Sequence, residues 1–362
     1  VCERYCQSAI EGRSKGLLSR LTLAALRLAS FGYRIAAGIR SFAYSKGLFI
    51  RYVAPVPAVV SIGNIVAGGT GKTPLTILLA EELYPHSKVG ILTRGYRGKA
   101  SKLKVPTRLI GKEGASVKNV GDEPAVMARR LKEVPLYVGR DRVQASIMAA
   151  KDGCEILLLD DGLQHTKLHR DIDIVLLDAR DPLGQGYFLP RGYLRQSPKA
   201  LEKADFIVGN HIRSEEEYAA FEKLVRKYSS APLIAMTPTL SSIEDVQGAP
   251  KTQLVGAKVA IMCGIAKPQR FRELIEEMGA QVVLEKATAD HTIPKAKEIA
   301  RFSEKALAAG AEVLLVTEKD RVKLSDDLSC ALPVASVQIR LKRTFGEENY
   351  QKMLEAIRAR LK

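Results

Sequence analysis

The stretch Ser61-Ile-Gly-Asn-Ile-Val-Ala-Gly-Gly-Thr-Gly-Lys-Thr-Pro74 decides how the rest of the chain is read. An apolar run, Ala58 to Ile62, precedes it and reads as a buried parallel strand. Leu75 to Leu83 follows with helical spacing. Strand, glycine-rich loop and helix are the context a phosphate-binding loop requires. Gly68, Gly69 and Gly71 let the backbone curl so that successive N–H groups face phosphate oxygens. The start of the helix adds its positive dipole end. Lys72 supplies a point charge for the β- and γ-phosphates of ATP, and the Thr73 hydroxyl is a hard oxygen ligand for Mg²⁺. The nucleotide loop therefore comprises Val66, Ala67, Gly68, Gly69, Thr70, Gly71, Lys72 and Thr73. Val66 stands where the strict pattern has glycine, which changes the wall of the loop and leaves its phosphate end intact.

Working outward, the first 57 residues carry nine basic side chains and two acidic ones, a large share of the chain's net charge of +16. Leu17, Leu21, Ala24, Leu28, Phe31, Ile35, Ile39 and Phe42 recur in steps of three and four, a helical stripe. Arg13, Arg20, Arg27 and Arg34 fall seven apart and line one edge of it. Arginines interrupt every run before it reaches the roughly 18 uncharged residues of a membrane span. Two readings fit: an amphipathic helix lying on an anionic membrane, or a helix packed on the following domain with solvated arginines. Gly32 and Gly38 are expected to divide the segment into two helices.

Downstream of the loop, Lys88–Leu92 reads as a strand ending at Thr93-Arg-Gly-Tyr-Arg-Gly98. Ligands bind at such carboxyl ends in α/β sheets. Arg94 and Arg97 are either contacts for a substrate phosphate or a solvated basic turn. Val120-Gly-Asp-Glu-Pro124 comes next, with a helix expected from about Ala125 to Leu131. Asp122 reads either as its N-cap or as a proton acceptor beside the nucleotide. Glu155-Ile-Leu-Leu-Leu-Asp-Asp161 is an apolar strand ending in two carboxylates, the arrangement that delivers Asp160 and Asp161 to a Mg²⁺ shell. His165 and His169 are four apart, but no third soft ligand accompanies them, so they read as structural rather than zinc-binding. The long loop from Asp178 to Pro198 is of a length usually reserved for function.

From about residue 210 the α/β pattern recurs without a phosphate loop. Strands are expected at Lys258–Met262, Gln281–Leu284 and Glu312–Val316, with helices between them. Leu233–Leu240 and Val334–Leu341 are candidates for a paired hinge. The expected fold is thus α/β: a P-loop NTPase-like parallel sheet, a second smaller α/β domain and an N-terminal amphipathic helix. The expected divisions are 1–57, 58–210 and 211–362. The five cysteines form no disulfide or zinc framework. A nucleic-acid-binding ATPase is disfavoured: the basic excess flanks an apolar stripe, aromatic content is 6%, and Trp is absent, so stacking platforms are scarce.

Taken in order, Gly63-Asn64, Gly-Gly-Thr-Gly-Lys-Thr-Pro74, Thr93–Gly98, Val120–Pro124, Val138-Gly-Arg-Asp-Arg142, Leu159-Asp-Asp-Gly-Leu-Gln-His165 and Thr317-Glu-Lys-Asp320 resemble the tetraacyldisaccharide 4′-kinases. The set spans nearly the whole chain. The chain departs from that family at Leu189–Gln196, where Pro-Ala-Gly-Pro-x-Arg-Glu is more usual. The resemblance implies transfer of the γ-phosphoryl of ATP to the 4′-hydroxyl of a tetraacylated disaccharide 1-phosphate, giving lipid IVA. It also implies work at the cytoplasmic face of the inner membrane. Carried over by matched motif, Asp122 is the base, oriented by His291, with Lys72 completing the catalytic set. Glu123, Asp160 and Asp161 serve the Mg²⁺ shell with Thr73. Asn64, Arg94, Gln164 and His165 lie on the substrate side. A membrane-associated P-loop ATPase that phosphorylates no lipid is the rival reading.

Overall fold

The computed structural model describes residues 5, 8–10, 12, 14, 16–245, 254–289, 292, 295–325 and 327–361. Among the described residues the strands are β1 (Ala58–Gly63), β2 (Val89–Thr93), β3 (Thr107–Leu109), β4 (Leu136–Val138), β5 (Ile156–Asp160) and β6 (Ile172–Asp178). They continue as β7 (Phe206–Asn210), β8 (Leu233–Asp245), β9 (Lys258–Cys263), β10 (Gln281–Ala287), β11 (Val313–Thr317) and β12 (Val334–Phe345). The chain folds into two compact units, neither of them one run of sequence. Residues 1–72, 161–237 and 343–362 form the first, and 73–160 with 238–342 the second.

In the first unit the order is β8–β7–β6–β1, all parallel. Val60 faces Ile172, Ile174 faces Phe206, and Ile207 faces Leu233. Every residue of β1 and β7 is buried, as expected of parallel strands covered on both faces. Ile65, Val66, Leu163, Val175, Leu194, Ile207 and Phe221 belong to one core cluster, so the loop flanks and the sheet share their packing.

The helix Leu17–Ser45 also belongs to this unit and runs unbroken for 29 residues. Gly32 and Gly38 therefore do not divide it, contrary to the expectation from sequence. A single glycine in a long helix costs about 1 kcal/mol, too little to end it. Its less exposed side carries Ser19 and Ser30, which are buried, with Leu23 and Leu26 half-buried beside them; Ser30 Oγ donates to the Phe188 carbonyl at 2.8 Å. The apolar stripe faces out, with Leu28 77% and Ile39 65% exposed. This orientation inverts that of an ordinary surface helix.

In the second unit β5–β2–β4–β3 form one run, parallel except for β3, which pairs antiparallel to β4. The short edge strand β3 was not expected; only Leu109 of its three residues is buried, so it leaves little apolar pattern. A second run is β10–β9–β11–β12, all parallel. The later residues of β8 lie beside β12, where Thr239 Oγ1 donates to the Arg340 carbonyl at 3.2 Å. Two core clusters hold this run, one including Val259, Phe271 and Leu315, the other Met262, Phe302 and Val316.

Candidate active site

In the first unit, the phosphate loop is pinned from both sides by amide side chains. Asn64 Nδ2 donates to Thr70 Oγ1 at 2.9 Å, and Asn210 Nδ2 donates to the Thr70 carbonyl at 2.8 Å. Gly71 has φ of +101°, and a Cβ there would lie 2.5 Å from Asn210 Nδ2. Glycine is thus required both by conformation and by close approach. Gly68 is likewise in the positive region, with φ of +111°. Both glycines thus hold a backbone conformation that residues with a Cβ rarely adopt.

Val66, the departure from the strict pattern, turns out to be a packing residue. It is 7% exposed and bridges antiparallel to Leu194. Around it Ala67 N–H donates to the Tyr193 carbonyl at 2.7 Å and Arg195 N–H to the Ile65 carbonyl at 2.8 Å. The long loop after β6 is therefore stitched along the entrance of the phosphate loop.

That stitching delivers Arg195, a residue the sequence reading did not single out. Its guanidinium takes both oxygens of Asp161, and Lys72 Nζ stands 3.5 Å from Asp161 Oδ1. Arg195 Nη2 also donates to Asn64 Oδ1. Burial alone would push the Asp161 carboxyl up, but the Arg195 fork and the Lys72 charge outweigh it and hold it far below the usual carboxylate range. Asp161 sits at φ of +54°, a sparsely populated region for a residue with a Cβ. Gln164 Nε2 donates to the Asn64 carbonyl at 2.7 Å, and its own carbonyl accepts from Arg40. His165 is held through its main chain: its N–H donates to the Gly162 carbonyl at 2.8 Å, and its carbonyl accepts from Arg170 at 3.2 Å.

In the second unit, the two glycine motifs after β2 interlock. A Cβ on Gly121 would lie 2.5 Å from the Tyr96 carbonyl oxygen, and one on Gly95 2.7 Å from the Val120 carbonyl oxygen. Gly121, at φ of +91°, then starts the helix Asp122–Arg130. Asp122 is the first helical residue rather than its N-cap. It is 4% exposed, and its Oδ1 accepts the Glu123 N–H at 3.0 Å. Lys319 Nζ lies 2.7 Å from Glu123 Oε1, and Lys323 Nζ 4.0 Å from Asp122 Oδ2. Arg130 closes the same pair of segments, at 3.0 Å from Glu318.

Also in this unit, Thr93 Oγ1 donates to Asp160 Oδ2 at 3.0 Å, which fixes the last carboxylate of β5. Thr73 and Asp160 are both buried. Arg94 is exposed on the turn after β2, and Arg97, at φ of +63°, stacks over the Tyr96 ring at 5.6 Å. His291 lies outside the described residues.

Among the described residues no three His, Cys, Asp or Glu side chains converge as a metal cage. Arg195 and Asn210 in the first unit, and Lys319 and Lys323 in the second, contact candidate residues and were not singled out from sequence. Arg195 sits in a quoted motif, and the two lysines lie in or just beyond another. Their meaning depends on which chain segments fold against them.

The profile of the tetraacyldisaccharide-1-P 4′-kinase family, LpxK, matches residues 22–359. A tetraacyldisaccharide 4′-kinase of Chlamydia abortus is 38% identical over 305 residues, covering 83% of this chain and 82% of that protein. The protein of the same name from Syntrophus aciditrophicus is 37% identical over 338 residues, covering 88% and 89%. Among solved structures, LpxK of Aquifex aeolicus in complex with ATP superposes with a TM-score of 0.71 at 27% identity, covering 92% of this chain and 99% of that one. The chain belongs to the tetraacyldisaccharide-1-P 4′-kinase family.

Proposed function

We propose that this protein is an ATP-dependent lipid kinase that phosphorylates the 4′-hydroxyl of a tetraacyldisaccharide 1-phosphate to give lipid IVA. The observation that carries the reading is the pinned phosphate loop, with Lys72 held against Asp161, in a chain of this family. Lys72 and the loop N–H groups bind and orient the terminal phosphates. Thr73 and Asp160 would hold Mg²⁺, which when bound neutralises charge on the transferring group. Glu123 and Asp161, ion-paired to Lys319 and Arg195, would complete that shell. Asp122 accepts the proton of the sugar hydroxyl, with His291 as its orienting partner. Asn64, Arg94, Gln164 and His165 are assigned to the acceptor side.

No helix among the described residues is long and apolar enough to cross a membrane. The exposed stripe of Leu17–Ser45, edged by Arg20, Arg27 and Arg34, instead supports peripheral docking on an anionic surface, at the cytoplasmic face of the inner membrane. The assigned functional divisions are 1–57 for membrane docking, 58–210 for nucleotide chemistry and 211–362 for the second α/β part.

The test is incubation with ATP, Mg²⁺ and a tetraacyldisaccharide 1-phosphate, followed by the mass of the lipid. One added phosphate at the 4′ position is expected, and it disappears in Lys72→Ala. In Asp122→Ala, kcat falls far more than KM rises. Nucleotide hydrolysis with the lipid mass unchanged would instead favour an ATPase that phosphorylates no lipid.

A further inference from the structure

The second unit contains a buried lysine that the proposed chemistry does not use. The Lys323 side chain is 1% exposed and sits with two carboxylates, those of Asp320 and Asp122, that are 2% and 4% exposed. Its Nζ is 3.0 Å from Asp320 Oδ1 and 4.0 Å from Asp122 Oδ2. Asp320 is itself anchored: its Oδ2 accepts the Gly264 N–H at 3.0 Å and the Thr317 hydroxyl at 2.7 Å. The ammonium is thus fixed from behind by a fully bonded carboxylate and presents its charge to Asp122. The distance to Asp122 is too long for a hydrogen bond and short enough for strong attraction between two buried charges.

Burying three charges costs several kcal/mol of solvation apiece, and apolar replacements of such clusters are often neutral or stabilising. Stability alone is therefore a weak reason for the arrangement. What it does achieve is directional. Asp122 Oδ1 is tied to the Glu123 N–H, and Oδ2 is drawn toward Lys323, so the carboxylate plane is set from both ends. Four residues earlier, Lys319 meets the neighbouring Glu123 from the same short segment.

We propose that Lys323 is a positioning residue of Asp122, beside the orienting role given to His291: anchored by Asp320, its ammonium helps set the direction in which the Asp122 carboxylate faces the acceptor hydroxyl. This rests on Asp122 being the proton acceptor. Lys323 touches neither substrate nor nucleotide in this role, and it acts only through Asp122.

The experiment is a double-mutant cycle on the full chain, with Lys323→Met, Asp122→Asn and the pair assayed for lipid phosphorylation. Lys323→Met is expected to lower kcat by roughly 10- to 100-fold, within what a positioned base contributes. KM for ATP and for the glycolipid should move by less than about threefold. In the Asp122→Asn background the same substitution should cost less than about twofold, because the group it acts through is gone. A purely structural lysine would give losses that multiply, and that result overturns the proposal. So does a parental kcat in Lys323→Met while Asp122→Asn is impaired. A parental kcat in Asp122→Asn instead removes Asp122 from the proposed function, and the positioning role with it. Should Lys323→Met fail to fold, the isosteric Asp320→Asn reads the same cycle: a loss of kcat that vanishes in Asp122→Asn supports the anchor, and a multiplying one overturns it.

Discussion

Arg195 grips Asp161 at two points, Nη1 to Oδ2 at 2.9 Å and Nη2 to Oδ1 at 2.7 Å. A planar guanidinium matches both carboxylate oxygens, and a lysine cannot reproduce that fork. The pairing holds Asp161 ionised well below the ordinary range. A carboxyl depressed in the folded state stabilises the fold above its unfolded value of about 3.9, and that contribution is lost as pH falls through the folded value. Arg195→Met should therefore melt at a lower temperature than the parent near neutral pH. The gap should close progressively at pH values below about 4. Thermal melts of both proteins across pH check this, and a gap that is constant with pH would show that the fork does not set the Asp161 charge.

Much of this architecture is legible in sequence because parallel strands buried on both faces are written as unbroken apolar runs. Ala58–Ile62 and Leu157–Leu159 need no partner to be read. The carboxylates ending β5 and the glycines of the phosphate loop are legible for the same reason, since local backbone demands dictate them. Arg195 and Lys323 are not legible in this way. An arginine in a loop and a lysine after a short helix look solvated until long-range contacts bury them. The register of Val66 against Leu194 belongs to the same class. From local sequence Asp122 reads equally as a cap, because Pro124 suits a first turn. The interlocked Gly95 and Gly121 shift the helix start by one residue, and that is a tertiary effect.

The outward stripe on Leu17–Ser45 predicts a division between binding and folding. Leu28 and Ile39 are 77% and 65% exposed, so they contribute little to the core. Replacing both with Gln should leave the melting temperature within a degree or two. Each forfeits about 1–2 kcal/mol of apolar burial in a lipid interface, so binding to anionic vesicles should weaken by roughly 30- to 700-fold. Calorimetry measures the first quantity and co-sedimentation with vesicles the second. A large loss of stability would mean that the stripe is packed against protein in solution.

Gly121→Ala tests how Asp122, the proposed base, is carried. Its backbone is in the positive φ region, and its new Cβ would meet the Tyr96 carbonyl oxygen at 2.5 Å. Strain and the enforced shift should cost about 2–3 kcal/mol. Because Asp122 is the next residue, kcat should drop by more than tenfold even at temperatures where the variant is folded. Gly186→Ala is the control: its φ of +72° is similar, but nothing lies within 4 Å of the added atom. It should show the conformational cost alone and keep its activity.

Val66→Gly restores the strict phosphate-loop pattern, and here packing and motif make opposite forecasts. If the motif governed, nucleotide affinity should rise. In the structure Val66 is 7% exposed, lies in the core with Leu194, and faces Gly184, where a Cβ would come within 2.7 Å of its Cγ1. Removing that side chain empties a buried volume and loosens the backbone, at a cost of about 2–4 kcal/mol. The phosphate end of the loop is held separately, by Asn64 and Asn210 on Thr70. ATP affinity in the folded variant should thus change by less than about threefold while the melting temperature falls by several degrees. A gain of tenfold or more in affinity would mean instead that the valine restrains the loop rather than supporting it.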